Sequence, residues 1–432
     1  MVALAARNPR PAPGWLRLDN AAKIYPATRS RKWMALFRVS ITLTETVDDQ
    51  LLGKALRQVM KRMPVLGYQL KRGLFWYYFD WQEAQPEVQA DARNPMLPID
   101  LNENGGFLFR VRSFDKRIAL EIFHALTDGT GGMTFLLTLT AEYLRLKYGQ
   151  RVPEAPLILD TRDDPNREEW EDAFLRHARE ETRPFGEETA WHLKGTRESH
   201  GYLHLTTGII STQALADLAK SRKATVNSLL AAILLKSLIA ARAKSRPRNK
   251  RPVKLSLPVN LRRYYGSRTL RNFSSFVNVP VHADYGEYSL DDLIKLVTHY
   301  MGLETLEPLI NARFSANVKA EQMPAVRVLP LFLKSAVLKL VYRTKGVNYM
   351  TSTLSNMGLI RLPPEMAAYT QRVDLVLGAA LSTPINCGVV SAVGMTTVTF
   401  SKTIREAEVE RVFFTTLVEL GVPVTIESNW RE

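Results

Sequence analysis

Ile122-Phe123-His124-Ala125-Leu126-Thr127-Asp128-Gly129 is the stretch from which the rest of the chain can be read. Two runs rich in β-forming residues, 107–114 and 118–123, predict a strand pair whose second member leads directly into His124. Beyond Gly131 and Gly132, the apolar residues Met133, Leu136, Leu137, Tyr143 and Leu144 predict an amphipathic helix that ends near Gly149. The order is strand, polar turn, glycine, helix.

An imidazole at the end of a strand has an unperturbed pKa near neutrality, so it can take a proton from an attacking hydroxyl or amine. Asp128, four residues on, either holds the ring directly or pairs with a cation and braces the turn, leaving the outer ring nitrogen free. Gly129 and the two glycines after it admit backbone geometry that a side chain would block. The blander alternative is that Asp128 only caps the following helix and the glycines only turn the chain. A short motif needs its structural context to be believed. No metal site is expected, because one His and one Asp leave an ion short of ligands. His200 and His204 flank the start of a predicted strand, where four extended residues span about 13 Å, too far to share an ion.

Outward from the motif, residues 34–44 alternate as a strand, and Asp48 and Asp49 are placed to open a helix that Pro64 ends. Residues 66–70 and 74–79 form a hairpin around Lys71-Arg72-Gly73. From 153 to about 198 the composition turns to mixed charge and connects two halves. The second half opens with a strand at 202–210. An apolar helix at 225–241 follows, with Thr225 or Asn227 as its cap. Strands at 254–258 and 276–281 flank a polar loop, and 328–342 is apolar and helical. Residues 372–400 are rich in β-formers, and a helix at 409–420 precedes a last strand at 422–426. The fold class is therefore α/β, in two lobes expected at 1–195 and 196–432.

With 46% hydrophobic and 23% charged residues among 432, the composition is that of a folded enzyme-sized protein. The single cysteine, Cys387, excludes an internal disulfide and fits a reducing compartment. The N-terminal start is too short for a secretory signal, and the apolar runs at 229–235 and 329–333 fall short of the roughly 20 residues of a membrane span. A cytoplasmic setting is expected. A formal charge of +15 favours anionic partners: nucleic acid, anionic lipid or phosphorylated small molecules such as coenzyme A. The densest basic run, 245–254, reads as an exposed loop, and no nucleic-acid-binding pattern accompanies it. The helix at 328–342, with Lys334, Lys339 and Arg343, also raises a peripheral membrane contact.

The motif resembles the HxxxDG signature of the superfamily containing chloramphenicol acetyltransferase, plant BAHD acyltransferases and the condensation domains of nonribosomal peptide synthetases. Further stretches agree in order. Tyr25-Pro26, Arg62-Met63-Pro64 and Gly73–Tyr77 resemble the N-terminal part of bacterial alcohol acetyltransferase-like members. Thr225–Leu230 is similar to the family's buried helix, and Pro258–Arg262, Asn272-Phe273 and Val277-Asn278-Val279 to its segment crossing the active site. Ser355-Asn356-Met357-Gly358 looks like the strand connection after it.

The resemblance implies two chloramphenicol acetyltransferase-like lobes, each a mixed sheet flanked by helices, with an active-site tunnel between them. It implies a metal-independent acyltransferase with His124 as general base, next to Gly129. Asp128 would be structural, turned from the ring and paired with Arg262, with Arg263 as the neighbouring candidate. Asn272, Ser274 and Ser275 would line the tunnel or donate to the oxyanion. No bound cofactor is implied; acyl-CoA or an acyl-carrier thioester is the co-substrate, and an alcohol or amine the acceptor. Departures are Phe123 in place of the first histidine of condensation domains, the lack of the plant DFGWG sequence, and Arg271 where a glycine often precedes the asparagine. The rival readings are a stand-alone condensation-like enzyme using a carrier protein, and a non-catalytic acyl- or lipid-binding protein.

Overall fold

Asp48 caps the first long helix, Asp49–Arg62, by accepting from the backbone N–H groups of Gln50 and Leu51, and Pro64 closes it. Such local signals recur along the computed structural model, which describes residues 13–30, 33–182, 186–198, 201–245, 249–342, 347–380 and 383–430. In chain order its strands are β1 (Trp15–Arg17), β2 (Leu36–Leu43), β3 (Tyr68–Arg72), β4 (Tyr77–Trp81), β5 (Val88–Ala90), β6 (Phe109–Phe114) and β7 (Arg117–Phe123). They continue with β8 (His204–Ser211), β9 (Val253–Asn260), β10 (Ser274–Val281), β11 (Ser352–Leu359), β12 (Thr370–Leu377), β13 (Ile385–Ala392), β14 (Met395–Lys402) and β15 (Thr425–Ser428).

These strands make three sheets, ordered β12-β2-β7-β6-β5, β10-β9-β11-β13-β14-β8-β15 and β1-β4-β3. Both large sheets are mixed: β5 runs parallel to β6, and β11 runs parallel to both its neighbours. The class is α/β in two lobes. The first core joins the five-stranded sheet to the Asp49–Arg62 and Gly129–Tyr148 helices. The second packs the Val226–Ser245 helix on the seven-stranded sheet. That helix is long and apolar enough to span a bilayer, but two thirds of its apolar window lies buried in this core. Thr225 is its cap, its hydroxyl accepting from the Ser228 backbone N–H at 3.0 Å.

The halves exchange elements. Strand β12, late in the chain, pairs with β2 and forms the edge of the first sheet. Hydroxyls from β14 hold it there: Thr397 donates to the Val373 carbonyl (2.9 Å) and Ser401 to that of Leu377 (2.6 Å). Of the connecting segment, Trp170 belongs to the first core, whereas Phe174 and Trp191 belong to the second.

Several expectations change on folding. The helix at Gly129–Tyr148 is not amphipathic; residues 131–144 are all buried. The connecting segment covers the face that would otherwise meet water, with Leu159 N–H donating to Thr138 and Thr161 to Glu142. The apolar stretch at 328–342 is two helices, Pro324–Val328 and Leu331–Val341, because Pro330 forces Leu329 into an extended conformation. The last strand starts at Thr425, since Val422 is drawn into the second core after Gly421 turns left-handed. Lys254 does not belong to an exposed loop: it is buried on β9 and pairs with Glu187 at 3.1 Å. Residues 246–248 of the same run, like His200 and Arg343, lie outside the described residues.

Candidate active site

His124 leaves β7 with its backbone N–H bonded to the Ala35 carbonyl, so two neighbouring strand ends fix where the imidazole starts. The ring stacks on Tyr25 (4.8 Å between centroids, planes 24° apart) and meets the edge of Phe37 at 5.2 Å. Its Nδ1 lies 3.0 Å from Oδ1 of Asn272, which the second half of the chain brings across. The amide is itself oriented, because its Nδ2 faces Oδ2 of fully buried Asp19 at 3.4 Å. Nδ1 therefore carries the proton, and Nε2 keeps the lone pair. No described residue bonds Nε2, and the ring remains partly exposed.

Burial lowers the His124 pKa below its ordinary value. The field of Asp128, the residue's own backbone carbonyl and Asn272 oppose this without reversing it. A ring so placed is neutral at physiological pH and can accept a proton.

Asp128 is turned to other partners. One oxygen caps the helix by accepting from Gly131 N–H (3.2 Å); the other accepts from Arg262 Nη1 (2.8 Å) and from the Phe273 backbone N–H (2.9 Å). Burial alone would raise this carboxyl, but Arg262 and the hydrogen bonds win and hold it below the usual carboxylate range. Cap and ion-pair partner are thus one and the same residue. Arg262 also donates to the carbonyls of Thr269 (2.7 Å) and Arg271 (2.5 Å) and to Asn260 Oδ1 (3.3 Å), while Arg263 is exposed. One guanidinium ties the turn after β7 to the loop between β9 and β10.

The glycines differ in what they permit. A Cβ on Gly131 would collide with the Thr127 hydroxyl and the Leu270 carbonyl, which are bonded to each other at 2.5 Å across 143 residues of chain. A Cβ on Gly132 would enter the Phe37 ring, 2.6 Å from its nearest atom. Gly129 meets only the Met357 sulfur, at 3.2 Å. Close approach is needed most at 131.

Of the polar residues after Arg262, Asn272 has both ends of its amide engaged, Oδ1 at His124 and Nδ2 at Asp19, so it orients the imidazole. Ser274 pairs with Asn260 and Ser275 with Val259, so the pleat sends the two serines to opposite faces. Val259 belongs to the second core, whereas Asn260 reaches Thr130 beside Gly129 (3.1 Å). Ser274 is the serine on the motif's side.

Arg271 is a buried cation: it donates to the carbonyls of Arg17 (2.6 Å) and Trp170 (3.2 Å) and lies 3.6 Å from Asp19. Burial raises the Asp19 pKa to about 6, against the pull of Arg271. Asp19 was invisible in sequence, since a lone aspartate in a leader segment carries no pattern. Phe37 is, in the sequence, one position of the alternating strand at 34–44 and nothing there marks it as a neighbour of His124.

Two cavities adjoin the second lobe. One of about 470 Å³ lies along Thr130, Thr134, Arg262 and Leu270. The other, of about 280 Å³, lies along Lys254, Asn278, His282 and Arg313. His124 lines neither.

No protein-family model matches the chain, and no curated protein matches it in sequence. Solved structures do match in fold. The starter condensation domain of rhizomide synthetase, in complex with C8-CoA, superposes with a TM-score of 0.61 at 14% identity, covering 94% of each chain. Trichothecene 15-O-acetyltransferase from Fusarium sporotrichioides gives 0.58 at 11% identity, again over 94% of each chain. Wax ester synthase/diacylglycerol acyltransferase from Marinobacter aquaeolei gives 0.56 at 13%, over 94% of this chain and all of that one. At such identities the likeness establishes the fold: the chain has the two-lobed architecture that the HxxxDG resemblance implies.

Proposed function

We propose that the protein is an acyltransferase that moves an acyl group from a thioester, acyl-CoA in the first instance, to an alcohol or amine. One observation carries this reading: His124 sits at the seam of the lobes with Nδ1 tied to Asn272 and Nε2 bonded to no described residue. Nε2 takes the acceptor's proton as its oxygen or nitrogen bonds to the thioester carbonyl carbon. The tetrahedral oxyanion collapses, the carbon–sulfur bond breaks, and the imidazolium returns the proton to the departing thiolate. Ser274, on the motif's face of β10, is the proposed oxyanion donor. A thioester is already activated, so one base and good positioning suffice. Asp128 and Arg262 hold the turn in place and take no proton.

The test is thiol release from acyl-CoA with a panel of alcohols and amines, run beside the same acyl group on a carrier protein. His124→Ala should cut turnover by about 10²–10⁴ while the protein stays folded. Normal turnover in a folded His124→Ala protein would remove the imidazole from the chemistry. Release from the carrier alone would make the enzyme condensation-like, and silence across the panel would favour an acyl-binding protein.

A further inference from the structure

The turn between β3 and β4 and the Leu331–Val341 helix place large apolar side chains in water on one continuous surface. At the turn, Leu74 is 76% exposed, and Phe75 stands beside it. On the helix Phe332, 62% exposed, is joined by the exposed side chains of Leu333, Val337 and Val341, which recur every fourth residue and form one stripe beside it. The opposite face seats the helix: Leu331 is buried with its N–H on the Leu74 carbonyl (2.9 Å), and buried Lys334 donates to the Phe75 carbonyl (2.9 Å) above the Trp76 ring. Turn and helix are thus fixed to each other, with their apolar side chains outward. A helix apolar on both faces but buried on one leaves a surface that water disfavours.

The rim is basic. Lys71 and Arg72 are exposed on β3, and Arg327 and Lys339 are exposed before and within the helix. No acidic residue occurs in the sequence from Gln322 to Pro364, in a chain with a formal charge of +15. Exposed apolar side chains ringed by cations complement a bilayer rich in anionic lipid, whose acyl boundary takes the former and whose phosphates take the latter. We propose that the β3–β4 turn and the Leu331–Val341 helix form a docking surface for an anionic lipid membrane. The inference goes beyond the acyl-transfer reading and does not rest on it. The helix packs on the short Ile24–Thr28 helix, whose Tyr25 stacks on His124, so a docked bilayer would lie two elements from the imidazole.

The test is co-sedimentation of the full chain with phosphatidylcholine vesicles and with vesicles that also contain phosphatidylglycerol. Binding to the anionic vesicles should be stronger on the order of tenfold and should weaken as salt is raised. Phe332→Asp with Val337→Asp, and separately Lys71→Glu with Arg72→Glu, should each abolish that gain while leaving circular dichroism and melting unchanged. No binding, or equal binding to both vesicle types, overturns the proposal. So does a dimer in analytical ultracentrifugation that Phe332→Asp dissociates while vesicle binding is lacking, since a second copy would then cover the patch. If the variants misfold, the comparison of vesicle types on the unaltered chain still decides.

Discussion

Asn272 Oδ1 stands 3.0 Å from Nδ1 of His124, although 148 residues of chain separate the two. The contact sets the tautomer, because an acceptor at Nδ1 leaves the lone pair on Nε2. Asn272→Leu keeps the volume and removes the acceptor, so the ring loses both tautomer and aim. Turnover should fall by about 10-fold to 10²-fold with little change in KM, as for misplacement of a catalytic group. Asn272→Asp would instead set a carboxylate against the imidazole and raise its pKa. Steady-state kinetics at several pH values separates the two; wild-type turnover and pH profile in Asn272→Leu would show that the ring needs no such partner.

The pH dependence follows from the direction of the His124 shift. Burial lowers its pKa below 6.5, and a base works only when neutral. Activity should therefore be flat on the alkaline side and lost as pH falls through a value under 6.5, with unit slope in log kcat/KM. An acid limb centred above 6.5 would mean that the charged ring is the stabilised form.

Asp128→Asn tests the brace under the turn. The carboxylate and Arg262 are both largely buried, so losing one charge strands the other, at a cost of about 3–5 kcal/mol in stability. The sign with pH is fixed: a carboxyl whose pKa is depressed in the folded state contributes above its unfolded value near 3.8, and the contribution is lost as pH falls through the folded value. Urea unfolding of wild type and variant should converge toward low pH. Equal stability at pH 7 would assign Asp128 no such role.

The fold was legible wherever a local period or cap dominated. Asp48 and Pro64 delimit their helix as written, and the hairpin expected at 66–79 forms about two residues further on, at 68–81, with 73–76 rather than 71–73 as its turn. The unread parts depend on what lies opposite. Nothing in residues 129–148 announces that a charged connector will cover the helix, and nothing in residues 370–377 says that they pair with β2 rather than with their neighbours. The same holds at the site. His124, Asp128 and Arg262 lie in stretches with a pattern, whereas Asp19 acts through Asn272 at a distance of 253 residues, for which a single sequence holds no signal.

Gly131→Ala and Gly129→Ala make a matched pair for the seam between the lobes. Both sit in the first turn of the same helix, so the intrinsic gain of alanine over glycine is similar for each. What differs is the neighbour. At 131 the added methyl meets the Thr127 hydroxyl and the backbone carbonyl of Leu270, which the second half of the chain lays against the first core, and neither can swing aside. The Thr127–Leu270 bond must open, and with it the approach that brings Asn272 to His124. Gly131→Ala should lose about 1–3 kcal/mol, the usual cost of overpacking, and lose turnover as well. At 129 the methyl meets only the end of Met357, a flexible side chain that can move away. Gly129→Ala should stay within about 1 kcal/mol of wild type. Urea midpoints of the two variants decide the matter: if they coincide, the segment at Leu270 can shift from the helix without cost, and Gly131 is not what lets it approach.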